Sequence, residues 1–231
     1  MNVDALALSG LLQLASPSLP VGAFSHSLGL EAALDAGFVT DAASAERFIG
    51  DMLEGPWLHG DAPLWHALFF AWEQPDGTAI AMHNRWLIAS RESAELRLEN
   101  EQTGRSLLLW LRALPGSEAL SPAQREILDA LSPPAFVTVH ALAARLLGLN
   151  AALGLHALGY ALIENLSMAA LKAIPLGQDD GQAMQRRLAL RLPQWLERAE
   201  VLPANAATNF APMLAILSSR HETQYSRLFR S

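Results

Sequence analysis

Ser25, His26 and Ser27 follow one another in the stretch Leu11–Val39, LLQLASPSLPVGAFSHSLGLEAALDAGFV. A serine beside a histidine is the pair from which an activated nucleophile is built. The spacing works against that chemistry, because adjacent residues on a helix point roughly 100° apart and neither hydroxyl would face the imidazole. His59 and His66 are seven residues apart and share a helix face if the helix continues past Gly60 and Pro63. A metal wants neighbours at i, i+3 or i, i+4, or an added carboxylate such as Asp61, so partly buried or interfacial histidines are the more ordinary reading. His221-Glu222 lacks a second histidine four residues on, and cysteine is absent. No GxxxxGK[ST] phosphate loop occurs either, so the chain is not expected to hydrolyse nucleotide by itself. The residues therefore point away from catalysis, from a resident metal and from a directly bound cofactor. A helical hydrolase or metal-dependent enzyme, or a regulator holding a small ligand in a Trp-rich core, stays as the alternative.

Sixteen basic residues stand against 23 acidic ones, a formal charge of -7, and Lys172 is the single lysine. No polybasic patch exists to hold phosphates, which argues against nucleic acid. Charge is absent between Asp4 and Glu31 and again from Leu146 through Ile163. The first stretch is broken by Ser, Pro and Gly and lacks a basic leader, while the second carries Asn150, His156 and three glycines, so neither reads as a membrane span or targeting segment. A cytoplasmic location fits the missing cysteines.

The elements that must position these residues are helical throughout. Pro17 and Pro20 end a first helix near Ala15, Gly22 supplies backbone freedom, and Ser25 or Ser27 is placed to cap a second helix that stops at Gly37. This turn is either a tight connection or a stiff presented surface bearing Phe24, Ser25 and His26. Thr40-Asp41 caps a helix to about Leu53, which Gly55-Pro56 ends, and the aromatic-rich segment Trp57–Trp72 reads as central core. Helices follow over Ala79–Ser90, over about Ser93–Leu114 with a charged, solvated first half paired as Glu101–Arg105, and over Pro122–Leu131 capped by Ser121. Asn150 caps the most apolar helix, about Ala151–Ile174, whose Gly154 and Gly159 serve either the core or a subunit contact. Asp179 and Asp180 open another helix that Pro193 ends or interrupts, and an apolar helix around Phe210–Leu217 precedes a polar tail. No strand alternation or repeat is found. One all-α domain of about nine or ten helices, residues 1–231, is expected.

Four segments, in order, resemble the UreF family of urease accessory proteins: the opening stretch, ESAELRLENEQTGRSLL (Glu92–Leu108), AALKAIPLGQDDGQ (Ala169–Gln182) and HETQYSRLFRS (His221–Ser231). The resemblance implies a helical, non-enzymatic scaffold that joins UreD, called UreH in some bacteria, to the GTPase UreG, in the complex that inserts nickel into apo-urease. It also implies a homodimer that acts with nickel and GTP without binding either as a cofactor. Two surfaces are expected on that basis. One, facing the GTPase, combines Pro20, Val21, Gly22, Phe24, Ser25, His26 and Glu31 with Lys172, Gly177 and Gln178. The other, facing UreD, is the tail, with His221, Glu222, Tyr225, Arg227, Leu228, Phe229 and Arg230, expected to order only on its partner because it is too short to bury Leu228 and Phe229 alone. An arginine-finger role is chemically open at the GTPase surface, but no arginine is identified for it. Where the family usually reads PVGGFSYSQGLE this chain reads PVGAFSHSLGLE, with changes at Ala23, His26 and Leu28. An exposed His26 in place of tyrosine would make partner binding depend on pH between about 6 and 7.

Overall fold

The computed structural model describes residues 4–231. Its frame is a long helix, α9 (Ala151–Ala173), whose cap is as expected: the Asn150 carboxamide oxygen accepts the Leu153 amide at 2.9 Å. The other α-helices are α1 (Ala5–Ala15), α2 (Leu30–Asp35), α3 (Ala42–Met52), α4 (Ala62–Ala71), α5 (Gly77–Ala89), α6 (Ala94–Ala113), α7 (Pro122–Ala130), α8 (Phe136–Leu146), α10 (Gln178–Glu200) and α11 (Pro212–His221). No strand occurs among the described residues. Because α3 and α4 are joined without a break, the eleven helices form ten rods, in keeping with an all-α fold of nine or ten.

α9 is packed against α10, α1, α3, α4 and α8. Its glycines belong to the core and not to a subunit contact. A Cβ on Gly154 would lie 2.7 Å from the Trp65 ring, and one on Gly159 would lie 2.7 Å from Leu192 and 2.9 Å from Trp57. The tryptophans thus fill space that any larger residue would take. Trp57, Trp65 and Trp72 are buried, as the aromatic run predicts, and Trp65 donates its indole N–H to His140 Nδ1 at 3.0 Å.

Two proline expectations are corrected. Gly55-Pro56 does not end α3, because the chain widens into a π-helical segment, Leu53–Asp61, that carries Pro56 inside it and runs on into α4. A π turn leaves the main-chain ladder irregular, so the missing proline N–H is accommodated there. Pro193 likewise lies inside α10. Continuation costs about 3 kcal/mol for the proline, offset by Leu192, Trp195 and Ala199, which are buried on either side of it. Trp195 also donates its N–H to Glu54 on the π segment.

The opening stretch differs more. Ser25 does not cap a helix: a short 3-10 turn, Ala23–Ser25, is followed by extended backbone at His26, and α2 starts only at Leu30, where the Ser27 hydroxyl accepts the first-turn amide of Glu31 at 3.3 Å. Gly22 takes the left-handed conformation at φ 78°, and Leu28 shares that region at φ 52°, unusual for a branched side chain. The Ser25 hydroxyl donates to the Gly22 carbonyl at 2.8 Å, and the Ser27 hydroxyl, besides accepting at the start of α2, donates to the main-chain oxygen of Ser231 at 2.7 Å.

Candidate partner-binding site

The Ser27 bond is one of a set that stitches the tail to the opening turn. The Ser27 amide donates to the same Ser231 oxygen at 2.7 Å, and the Arg230 amide donates to the Ser25 carbonyl at 2.8 Å. Glu31, on the first turn of α2, accepts the main-chain amides of Leu228 at 2.6 Å and Phe229 at 2.8 Å. One carboxylate therefore caps two consecutive amides that have no helix to pair with.

A second layer lies beneath. His221, fully buried at the end of α11, has Nδ1 2.6 Å from Glu95 and Nε2 3.2 Å from Glu31. Each ring nitrogen faces a carboxylate, and the imidazolium is the form that donates at both. Arg227 pairs with the other Glu95 oxygen, and the Glu222 carboxylate accepts the Ala94 amide at 2.7 Å, closing the amino end of α6. Deeper still, the Ser231 hydroxyl donates to Glu99 at 2.7 Å while His26 Nδ1 lies 2.9 Å from the same hydroxyl oxygen. With that hydroxyl already donating, His26 supplies the proton at Nδ1.

Burial sets the titration of this layer. It pushes the Glu99 carboxyl up to about 7, against the hydrogen bond from Ser231 and the pull of Arg91. It holds His26 down at about 4, with the Arg230 charge acting in the same direction. The Ser–His–carboxylate grouping is no hydrolase site. Ser25 and His26 do not bond to each other, and the Ser231 hydroxyl points its proton at a carboxylate in a place that is 2% exposed.

This geometry corrects three sequence-based expectations. His26 is 4% exposed, not presented to a partner, so the expected titration between 6 and 7 is displaced to acid pH. Glu31 and His221 are buried fasteners, and Val21 is core. The tail lies folded on the chain's own α2, α6 and opening turn, with Phe229 buried at 5%, because the carboxylates of Glu31, Glu95 and Glu99 supply partners that the tail alone lacks.

What remains outside is a smaller set. Phe24 is 61% exposed, Leu228 60% and Tyr225 fully exposed, while Pro20, Glu222, Arg227 and Arg230 are at the surface with them. Lys172, in the last turn of α9, is placed with its ammonium 5.7 Å from the Phe24 ring centre and 6.0 Å from that of Phe229. This is cation–π range. The lone lysine thus joins the opening turn to the tail, making one face of what the sequence divides into two. Gly177 and Gln178, at the exposed start of α10, make no side-chain hydrogen bond to the turn among the described residues. Glu95 and Glu99 were missed, since the charges of α6 read as a solvated face. The signal was spacing: Glu99, Asn100 and Thr103 continue the i, i+3, i+4, i+7 series of Leu96 and Leu107, and all are buried.

His59 uses its carbonyl to accept the Thr208 amide at 2.9 Å, and His66 packs on the edge of Phe70. No group of three or more His, Cys, Asp or Glu placed to hold a metal occurs among the described residues. No described helix is long and apolar enough to cross a membrane.

The UreF family model matches residues 39–189. Full-length relatives extend the match over both the turn and the tail. The urease accessory protein UreF of Polynucleobacter asymbioticus is 45% identical over 235 residues, covering all of both chains. That of Cupriavidus necator is 48% identical over 228 residues, covering 97% of each, and that of Methylibium petroleiphilum is 46% identical over 230 residues, covering 98% of this chain and 95% of its own.

Proposed function

The chain belongs to the UreF family of urease accessory proteins, whose role is non-enzymatic maturation of urease, and from that premise we propose that it is the scaffold joining UreD to the GTPase UreG during nickel insertion. The observation that carries this reading is the single face on which Lys172 links Phe24 to the docked tail. Exposed aromatic and aliphatic groups beside arginines, on a backbone already fixed by buried bonds, lose little entropy when a partner covers them. Tyr225 and Leu228 are the anchors toward UreD. Phe24 and Lys172, with Pro20 beside them, meet UreG, and the two partners therefore sit next to each other. Gln178 extends the GTPase side. A cytoplasmic homodimer, acting with nickel and GTP held by its partners and delivering to apo-urease, completes the reading.

Two variants test it against each other. Tyr225→Ala combined with Leu228→Asp changes only exposed side chains and is expected to abolish co-purification with UreD. Lys172→Glu is expected to weaken UreG capture by a preformed complex with UreD while leaving UreD bound, since a surface charge alters association without disturbing the core. Retention of both partners by both variants would remove this face from the assembly.

A further inference from the structure

A partly open pocket lies where the π segment, α6, α8 and α9 converge. Its cavity, of about 160 Å³, is walled by Leu96, Phe136, Leu158, Leu162, Leu214 and the indole of Trp57. A space of this size is large enough to take up a benzene-sized molecule. One wall is the irregular π winding around Pro56 and Trp57, a kind of segment that recurs at functional sites.

Two polar atoms belonging to the wall residues have no hydrogen-bond partner within the protein: the buried Trp57 Nε1 and Asn209 Oδ1. The Asn209 orientation is fixed, because its amide nitrogen donates to the Ser90 carbonyl at 2.7 Å and to Glu92 at 3.0 Å. One donor and one acceptor are thus left over, whereas buried polar groups are otherwise nearly always paired. The charge around them is acidic. Asp61, Glu92 and Glu99 line the cavity against the single guanidinium of Arg91, which Asp61 already holds at 2.8 Å. An anion would meet Glu92 and Glu99 on entering, whose hydrogen bonds come from the neutral donors Asn209 and Ser231 and not from an arginine.

We propose that this cavity is a binding site for one small, neutral, mostly apolar molecule of phenol size, whose hydroxyl oxygen accepts the Trp57 N–H. The cavity borders the layer beneath the partner face, sharing Ala23, Leu28 and Glu99 with it, but its occupancy does not depend on that reading.

Phenol, benzene and benzoate are titrated into the full chain and followed by NMR, with a parallel titration of Trp57→Phe and of Ala161→Leu, a further wall residue, on α9, whose added carbons would occupy the cavity. Phenol is expected to bind saturably at one site, about five-fold tighter than benzene for one added hydrogen bond, and benzoate is expected not to bind. In folded Trp57→Phe that advantage disappears while benzene binding persists, and in folded Ala161→Leu both are lost. Absence of saturable phenol binding to the wild-type chain overturns the proposal, as does benzoate binding as tightly as phenol. Unchanged binding in Ala161→Leu, or an unchanged phenol-to-benzene ratio in Trp57→Phe, does the same. Should either variant fail to fold, the wild-type comparison of the three probes decides alone.

Discussion

Glu31→Gln is the substitution that most directly loads the fastening of the tail. The carboxylate accepts two amides, from Leu228 at 2.6 Å and Phe229 at 2.8 Å, and meets His221 Nε2 at 3.2 Å. A glutamine of the same shape keeps one oxygen and turns an NH2 group toward the second donor. The charge-assisted bond lost is worth about 1.5–3 kcal/mol, and the amide left facing a donor costs about 1–3 kcal/mol more. Because Leu228 is exposed and its bond to Glu31 is only partly buried, the sum is taken low, at about 3 kcal/mol. That loss falls on opening of the tail and not on global unfolding, since the helices beneath keep their own core. It corresponds to a rise of roughly a hundredfold in the open population. Amide hydrogen exchange reads this directly: the Phe229 and Ser27 amides should exchange faster by that factor, while α9 amides such as Ile163 stay unchanged. Unaltered protection of Phe229 would refute the claim that Glu31 holds the tail. Equal acceleration in α9 would refute the tail's independence as an opening unit.

Three further outcomes rest on Glu99, on the buried histidines and on Gly104 of α6. Glu99, raised from 4.5 to about 7 by burial, gives stability that is fully present below its unfolded value and lost as pH rises through 7. Denaturant midpoints should therefore fall as pH rises from about 4.5 to about 7 and level off above that, and this fall should vanish in Glu99→Gln. His26 and His140 are lowered to about 4 and about 3, so their contribution is present above 6.5 and lost as pH falls through those values. Consequently His26→Tyr should leave the pH profile of UreG affinity between 6 and 7 unchanged. A profile that flattens only in the variant would restore His26 as a titrating contact. Gly104→Ala would set a Cβ 2.1 Å from the Pro134 carbonyl and 2.8 Å from the Phe136 nitrogen, where main chain cannot give way. Urea unfolding should show a loss at or above the roughly 1–3 kcal/mol typical of overpacking, and a neutral result would mean that α6 and the entry to α8 are not in that contact.

The helical periodicity and the caps carried most of the fold. Ser121 and Asn150 stand where their helices begin, and the run from Trp57 to Trp72 is core because its apolar positions are too many for one solvent-facing helix. Pro56 and Pro193 misled because local propensity is overridden when burial on both sides of the proline outweighs one lost hydrogen bond. The candidate site was legible only at its exposed points, Phe24, Lys172 and Tyr225. Its fasteners were not, because Glu31 and Glu95 are joined through His221 across long stretches of chain that no local pattern records. Serines that look like helix caps beside Pro and Gly are indistinguishable, by spacing, from serines that bind a distant tail. Ser27 does both, accepting the Glu31 amide and donating to Ser231.

The central claim, a scaffold that holds UreD and UreG side by side, is tested most directly by mixing the purified chain with UreD, UreG, GTP and nickel and measuring the mass of the product in solution. A species containing all three proteins, able to activate apo-urease where the mixture lacking this chain cannot, is the predicted result. A chain that remains apart from both partners, with apo-urease activated equally well in its absence, would contradict the account.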